Sequence, residues 1–326
     1  MPEGAPLRNQ EIDGSSPPNS ISKTGTTEMR EYPGVNPHPD PSDSETLDDN
    51  ASASVAVELK YAAGLAYREA LPTASNDRDP VLLIHGYPQS SYMWVPVIEA
   101  LATAGRRVIA PDLAGFGDAP PNPPGTWEHH VEVLDRFLRE LELERVVLGV
   151  HDWGGLIGLR WACDHPGSTS ALILSNTGFF ADTEWHRLGR ALRTPGQGEQ
   201  LLENLTRDAF ATIVHDLGGR LGERAIDEYW KTFTTKQGRQ GLLELFRSGD
   251  FEKLAPYEGE LGRMESPALI LWGENDPFVP VTGAERFNRE ISDSKLVVLP
   301  EASHFLYDDE PERCASEVVA FLADKR

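Results

Sequence analysis

An aspartate at the turn between a buried strand and a helix can do covalent chemistry if a histidine and a second acid are brought to it. The run Val146-Val147-Leu148-Gly149-Val150-His151-Asp152-Trp153-Gly154-Gly155 has that form: an apolar strand, a tight turn at Asp152, then a helix start. A carboxylate raised on such a turn can attack an electrophilic carbon. The Trp153 N–H, at a helix N-terminus, would steady negative charge. Gly154 and Gly155 would let the helix approach the sheet closely. In isolation, an aspartate at this point reads as a helix N-cap. Two further segments change that reading. Gly273-Glu274-Asn275-Asp276-Pro277-Phe278 follows the apolar run ALILW, which puts Asp276 at the C-terminal end of a strand. Glu301-Ala302-Ser303-His304-Phe305 follows LVVLP, which puts His304 after the next strand. Catalytic groups gather at the carboxyl ends of parallel strands. The chain order nucleophile, acid, histidine is one such scaffolds use. The expected trio is therefore Asp152 as nucleophile, Asp276 as orienting acid and His304 as base.

A second turn, in VLLIHGYP, ends another apolar strand. The Tyr87 amide there could complete an oxyanion hole with that of Trp153, and Pro88 fixes the turn. Asp112-Leu113-Ala114-Gly115-Phe116-Gly117 is Gly-rich but lacks dinucleotide spacing, so it reads as structural. His38, His129, His130, His165, His186 and His215 read as surface or packing residues. Cys163 and Cys314 lie far apart in no metal-ligand spacing, so neither a disulfide framework nor a metal site is expected.

Strand-like runs at 81–85, 107–110, 145–150, 171–175, 268–272 and 296–299 alternate with helical stretches, one of them at 131–143. Residues 55–68 read as one or two edge strands. The alternation predicts an α/β fold with a mostly parallel, doubly wound sheet. It breaks at 178–257, where aromatic and Leu residues recur at helical spacing. That stretch is expected to be a helical cap inserted into a core made of 55–177 and 258–326. Residues 1–54 carry ten acids against three bases and few large apolar groups, and are predicted to be a disordered acidic tail. The 326-residue chain has a formal charge of −22, which disfavours nucleic acid and anionic membranes as partners. No signal peptide and no membrane-spanning run is read, and the expected location is cytoplasmic.

The segments HGYPQSSYMW, PDLAGFGD, VHDWGGLIGLR, LWGENDPF and ASHF resemble the haloalkane dehalogenase and epoxide hydrolase branch of the α/β-hydrolases. The resemblance runs from residue 55 to the C-terminus, strong in the core motifs and weak in the lid. It implies an α/β-hydrolase fold and a covalent mechanism. Asp152 forms an ester with substrate carbon, and His304, paired with Asp276, activates the water that hydrolyses it. It implies a small apolar organic substrate and water, and neither a metal nor an organic cofactor. The two activities differ at the leaving group. A halide needs N–H donors, whereas an epoxide oxygen needs an acid, usually two lid tyrosines. Val150, GLIGLR and Asn176-Thr177-Gly178 are similar to dehalogenases. Phe246 stands where the similar epoxide-hydrolase lid segment carries a tyrosine. Tyr229 is the one well-placed lid tyrosine, and Tyr257 falls near the lid's exit. Tyr87 is closer to epoxide hydrolases, because many dehalogenases have Asn there. Trp153 is shared by both groups, and the second halide donor is expected to be Tyr87 or Trp185. The resemblance favours a dehalogenase, with epoxide hydrolase as the alternative. A non-catalytic ligand-binding homologue is a third reading, disfavoured by the intact trio. A serine esterase is disfavoured because no Ser occupies the elbow. A fluoroacetate-type enzyme is disfavoured because Trp153 stands where that group resembles HDRG.

Overall fold

The short apolar runs between turn residues become the strands of one sheet. The computed structural model describes residues 55–74 and 76–325, so the tail expected over 1–54 lies outside the described residues. Eight strands are present among them: β1 (Glu58–Ala62), β2 (Leu65–Ala70), β3 (Val81–Ile84), β4 (Val108–Pro111), β5 (Val146–His151), β6 (Thr169–Ser175), β7 (Ala268–Gly273) and β8 (Ser294–Leu299). Their spatial order is β1-β2-β4-β3-β5-β6-β7-β8. The first two strands are antiparallel to their neighbours, and the six from β4 to β8 run parallel. Every residue of β3, β4, β5 and β7 is buried, as a parallel sheet covered on both faces requires. The edge strands β1 and β8 are partly exposed and carry Glu58, Lys60 and Lys295, charges that discourage further strand pairing.

Among the described residues, twelve α-helices accompany the sheet: α1 (Val95–Thr103), α2 (Trp127–Glu140), α3 (Trp153–Asp164), α4 (Arg187–Arg193), α5 (Gln197–Asn204), α6 (Arg207–Asp216), α7 (Glu223–Trp230), α8 (Lys236–Ser248), α9 (Glu260–Arg263), α10 (Thr282–Glu290), α11 (Leu306–Asp309) and α12 (Pro311–Leu322). In the core, α1 packs on α12 and α2 on α3. The six from α4 to α9 lie in sequence between β6 and β7, with no strand among them. This helical region runs on to Arg263, beyond the expected end at 257, because the strand pattern resumes only at Ala268.

The chain leaves β3 for β4 on one side and later returns to β5 on the other. That reversal opens a crevice at the C-terminal ends of β3 and β5, where the two turns singled out in the sequence lie. Small residues make the crevice tight. A β-carbon on Gly154 would sit 2.2 Å from the Ile84 carbonyl oxygen and 2.6 Å from that of His85. One on Gly155 would sit 2.0 Å from Thr177 Oγ1. One on Gly241, in the interior of α8, would meet nothing within 4 Å.

Gly154→Ala is expected to destabilise the fold by about 1–3 kcal/mol, since backbone rather than a flexible side chain must move. Gly241→Ala is expected to stabilise it by about 0.5–1 kcal/mol through helix propensity. Urea unfolding of the two variants checks both signs.

Candidate active site

β5 ends in a backbone turn that few side chains tolerate: Asp152 lies at φ 48°, ψ −120°. Its side chain makes no capping hydrogen bond to the following helix. Instead Oδ1 accepts a 2.7 Å hydrogen bond from the Tyr87 N–H. Thr177 Oγ1 donates to the Asp152 carbonyl at 2.6 Å and fixes the turn from below. Gly86 is required opposite it, because a β-carbon there would fall 2.3 Å from that of Asp152. The Tyr87–Pro88 peptide is cis. His85 holds this loop: its Nδ1 pairs with the Gly86 carbonyl at 2.9 Å, and its Nε2 accepts from the Leu113 N–H at 2.9 Å. Asp112 in the Gly-rich loop accepts from the Ser91 and Asp118 amides, a structural duty.

The three residues expected to act together do converge. His304 Nδ1 lies 2.7 Å from Asp276 Oδ2, and His304 Nε2 lies 3.9 Å from Asp152 Oδ2. The longer separation is beyond hydrogen-bond range, so Nε2 is not tied to Asp152. Asp276 is held by four contacts: His304, Asn176 Nδ2 at 2.6 Å, and the Phe278 and Val279 amides at 2.7 and 3.0 Å. Asn176 also accepts from the Gly273 N–H at 2.9 Å, and so clamps the end of β6 to the end of β7. The side chains of Asp276 and His304 are 0% and 2% exposed, whereas that of Asp152 is 20% exposed and faces the cavity it lines.

Burial opposes the positive charge on His304, but the carboxylates of Asp276 and Asp152 outweigh it and raise its pKa to about 9. Burial pushes the Asp152 carboxyl above its usual range, opposed by His304 and by the Trp153 and Tyr87 amides. Burial acts on Asp276 in the same sense, yet His304 and its hydrogen-bond donors hold it below the usual range. Of the two carboxyls, Asp276 is therefore the one more firmly held as a carboxylate.

A cavity of about 380 Å³ lies above Asp152, walled by Trp153, Phe246, Phe278 and the leucines of α4 and α5. Trp153 and Trp185 both line it, with ring centres 5.8 Å apart. Trp185 also packs on Phe246 and Phe251, under the Arg193 guanidinium. Tyr87 lines it too, its ring against Phe233 and Phe246. Burial and the charge of Asp152 push that phenol's pKa well up. The lid tyrosines are elsewhere. Tyr229 donates to Asp308 at 2.7 Å, and Tyr257 donates to Asp164 at 2.9 Å; neither lines the cavity. His186, read from sequence as surface or packing, is instead a cavity residue. Nothing in its spacing marks it; only the fold of the segment after β6 brings it in. Among the described residues, no group of three or more His, Cys, Asp or Glu side chains could hold a metal ion, and no helix is long and apolar enough to cross a membrane.

Residues 79–311 match the family described as alpha/beta hydrolase fold. The chain belongs to the α/β-hydrolase family. A haloalkane dehalogenase of Psychrobacter cryohalolentis is 30% identical to this hydrolase over 274 residues, 78% of this chain and 86% of that one. Epoxide hydrolase 2 of Caenorhabditis elegans is 27% identical over 257 residues, 72% of this chain and 71% of that one. A crystal structure of a DBJA mutant superposes with a TM-score of 0.71 at 27% identity, covering 82% of this chain and 98% of that one. The hydrolase thus falls in the haloalkane dehalogenase and epoxide hydrolase branch of its family, as its motifs implied.

The raised pKa of His304 fixes a pH dependence. The folded protein binds this proton more tightly than the unfolded chain does, whose value is 6.5. The resulting stability is complete below pH 6.5 and is lost as pH rises through about 9. Urea midpoints at pH 6.5 and 9.5 are expected to fall with rising pH in the parent protein, and to fall less in His304→Gln.

Proposed function

We propose that this hydrolase is a haloalkane dehalogenase whose nucleophile is Asp152. Asp152 Oδ2, the oxygen not held by the Tyr87 amide, attacks the carbon bearing the halogen. The carbon–halogen bond breaks, the halide leaves with its electron pair, and an ester joins Asp152 to the substrate. A water then gives its proton to His304 Nε2 and attacks the ester carbonyl carbon. The oxyanion so formed is steadied by the Tyr87 and Trp153 N–H groups; its collapse breaks the bond from the carbonyl carbon to the substrate oxygen, which takes the proton back from His304 and leaves as an alcohol.

The electrostatics of the trio support this order of events. At rest, two carboxylates flank His304 and favour its charged form. Esterification removes the charge of Asp152, one of the two anions that raise the pKa of His304. The imidazole therefore becomes a better base just when a base is required. Asp276, buried and held by four partners, stays charged and orients the ring.

One observation carries the choice of leaving group: both lid tyrosines are hydrogen-bonded away from the cavity, and Phe246 lines it. An opening epoxide needs a proton donor. A departing halide needs only N–H or O–H dipoles in a dry pocket, and Trp153 with Trp185 or Tyr87 supplies those. The Tyr87 phenol keeps one donor available for the epoxide reading.

The purified protein is expected to release bromide from 1-bromobutane or 1,2-dibromoethane and to turn over styrene oxide poorly; the reverse would favour epoxide hydrolysis. Trp153→Phe should slow bromide release about tenfold or more, the worth of a hydrogen bond to a charged group. Tyr87→Phe and Trp185→Phe, compared side by side, identify the second donor by which one slows release.

His304→Phe should cut turnover by about 10²–10⁴-fold, the range for a lost general base. It should also trap a covalent adduct, seen as a mass gain on the peptide that contains Asp152. In the parent protein the adduct should accumulate as pH falls, because only neutral His304 can take the proton from water. An adduct on another residue would overturn these roles.

A further inference from the structure

The cavity is uneven in character. The wall from α4 to α6 is apolar, with Leu192, Leu202, Leu205, Phe210 and Val214 among its residues. The segment between β6 and α4 is different, and it brings an imidazole, His186, into the same cavity. His186 Nδ1 accepts the Gly189 N–H at 3.3 Å and so caps α4. An acceptor nitrogen carries no hydrogen, so the neutral ring bears its proton on Nε2. Among the described residues that N–H has no protein partner. Burial, with the positive His304 nearby, holds the His186 pKa down at about 4, so the ring is a neutral donor at ordinary pH. Its position is set by Phe278, whose ring lies 4.8 Å from it and 5.2 Å from His304. Of the nearby cations, Arg286 contacts Asp182 at 2.7 Å and Arg190 contacts Glu184 at 3.6 Å. A neutral acceptor suits this corner better than a carboxylate, which would meet the Glu184 carboxylate that lines the same cavity.

We propose that His186 Nε2–H donates a hydrogen bond to a neutral oxygen of the bound molecule, an ether, carbonyl or hydroxyl. The substrate class is then an apolar molecule that carries one such oxygen apart from its reacting carbon, rather than a bare hydrocarbon halide. This rests on the proposal that the cavity holds the molecule whose carbon Asp152 attacks. It makes His186 a specificity residue, which no spacing in the sequence marked.

The test uses two inert probes of equal chain length, di-n-propyl ether and n-heptane. Their binding to the full chain is followed by the change in tryptophan fluorescence, since Trp153 and Trp185 line the cavity. His186→Leu removes both ring nitrogens. His186→Asn keeps an oxygen that can cap α4 but withdraws the distal donor, and it carries the test if the leucine variant fails to fold. Each substitution is expected to weaken ether binding about threefold to tenfold more than heptane binding, the worth of one neutral hydrogen bond. Equal weakening of the two probes, no weakening of either, or no ether binding by the parent would overturn the proposal. Bromide release from 1-bromobutane and from 2-bromoethyl ethyl ether, which carries both a bromide and an ether oxygen, separates this claim from the one beneath it. Ether selectivity that depends on His186 without any bromide release would sink the Asp152 reading alone. Bromide release with equal weakening of both probes would sink the His186 proposal alone.

Discussion

Asp152 sits at φ 48° and ψ −120°, a backbone state that costs about 1–3 kcal/mol for a residue with a side chain. The surroundings are arranged to hold it there. Gly86 leaves room for its β-carbon, Gly154 lets α3 start against the carbonyls of β3, and Thr177 ties down its carbonyl. The strain sets the direction of the carboxylate: out of the sheet, toward the Tyr87 amide and the cavity. A relaxed turn would let the same aspartate cap α3, where its charge would be spent on backbone N–H groups. The elbow is thus one continuous constraint running from three small residues to one exposed oxygen.

The charges above the elbow form a second constraint. Two carboxyls, Asp276 buried and Asp152 facing the cavity, share one imidazole, and their environments push them apart: Asp276 is held as a carboxylate, while desolvation makes Asp152 less reluctant to lose its charge. Asn176 matters here because it fixes Asp276 Oδ2, the oxygen that also meets His304. A residue that only donates to a buried carboxylate acts on chemistry through the ring that carboxylate orients. The difference between the two acids is a property of the packing and not of residue type.

The parallel sheet was legible because its strands are apolar runs closed by turn residues, and because strand and helix periods alternate. The positions of Asp152, Asp276 and His304 were legible for a related reason. Asp152 directly follows β5, and Asp276 and His304 lie in the loops just past the ends of β7 and β8; strand ends define where side chains converge. The helical insertion was harder to delimit. Its last helix, α9, is only four residues long and leaves no periodic signature, so the end at Arg263 was not visible. His186 was illegible because its place depends on how the segment after β6 folds over the sheet, and no periodicity encodes that path. Tyr229 misled for the opposite reason. Its position along the lid suggested the cavity, but a buried partner 79 residues away claims its hydroxyl.

That partner, Asp308, bears on the chemistry. Burial pushes its pKa up to about 7, against hydrogen bonds from Tyr229 and Gln89. A phenol committed to such a carboxyl cannot also protonate a departing oxygen without leaving a buried acid short of a donor, a loss of about 1–3 kcal/mol. Nearby, Lys231 joins Asp118 to Glu228, and Glu228 also meets Arg68, so this side of the lid is fastened to the core by polar pairs. The wall over Asp152 is instead aromatic and aliphatic. Polar groups on that side anchor the lid, while Trp153, Trp185 and Tyr87 line the cavity. A site so furnished can stabilise a leaving group that departs as a ready-made anion. It is poorly equipped for one that must collect a proton as it goes, and this asymmetry favours halide over epoxide oxygen.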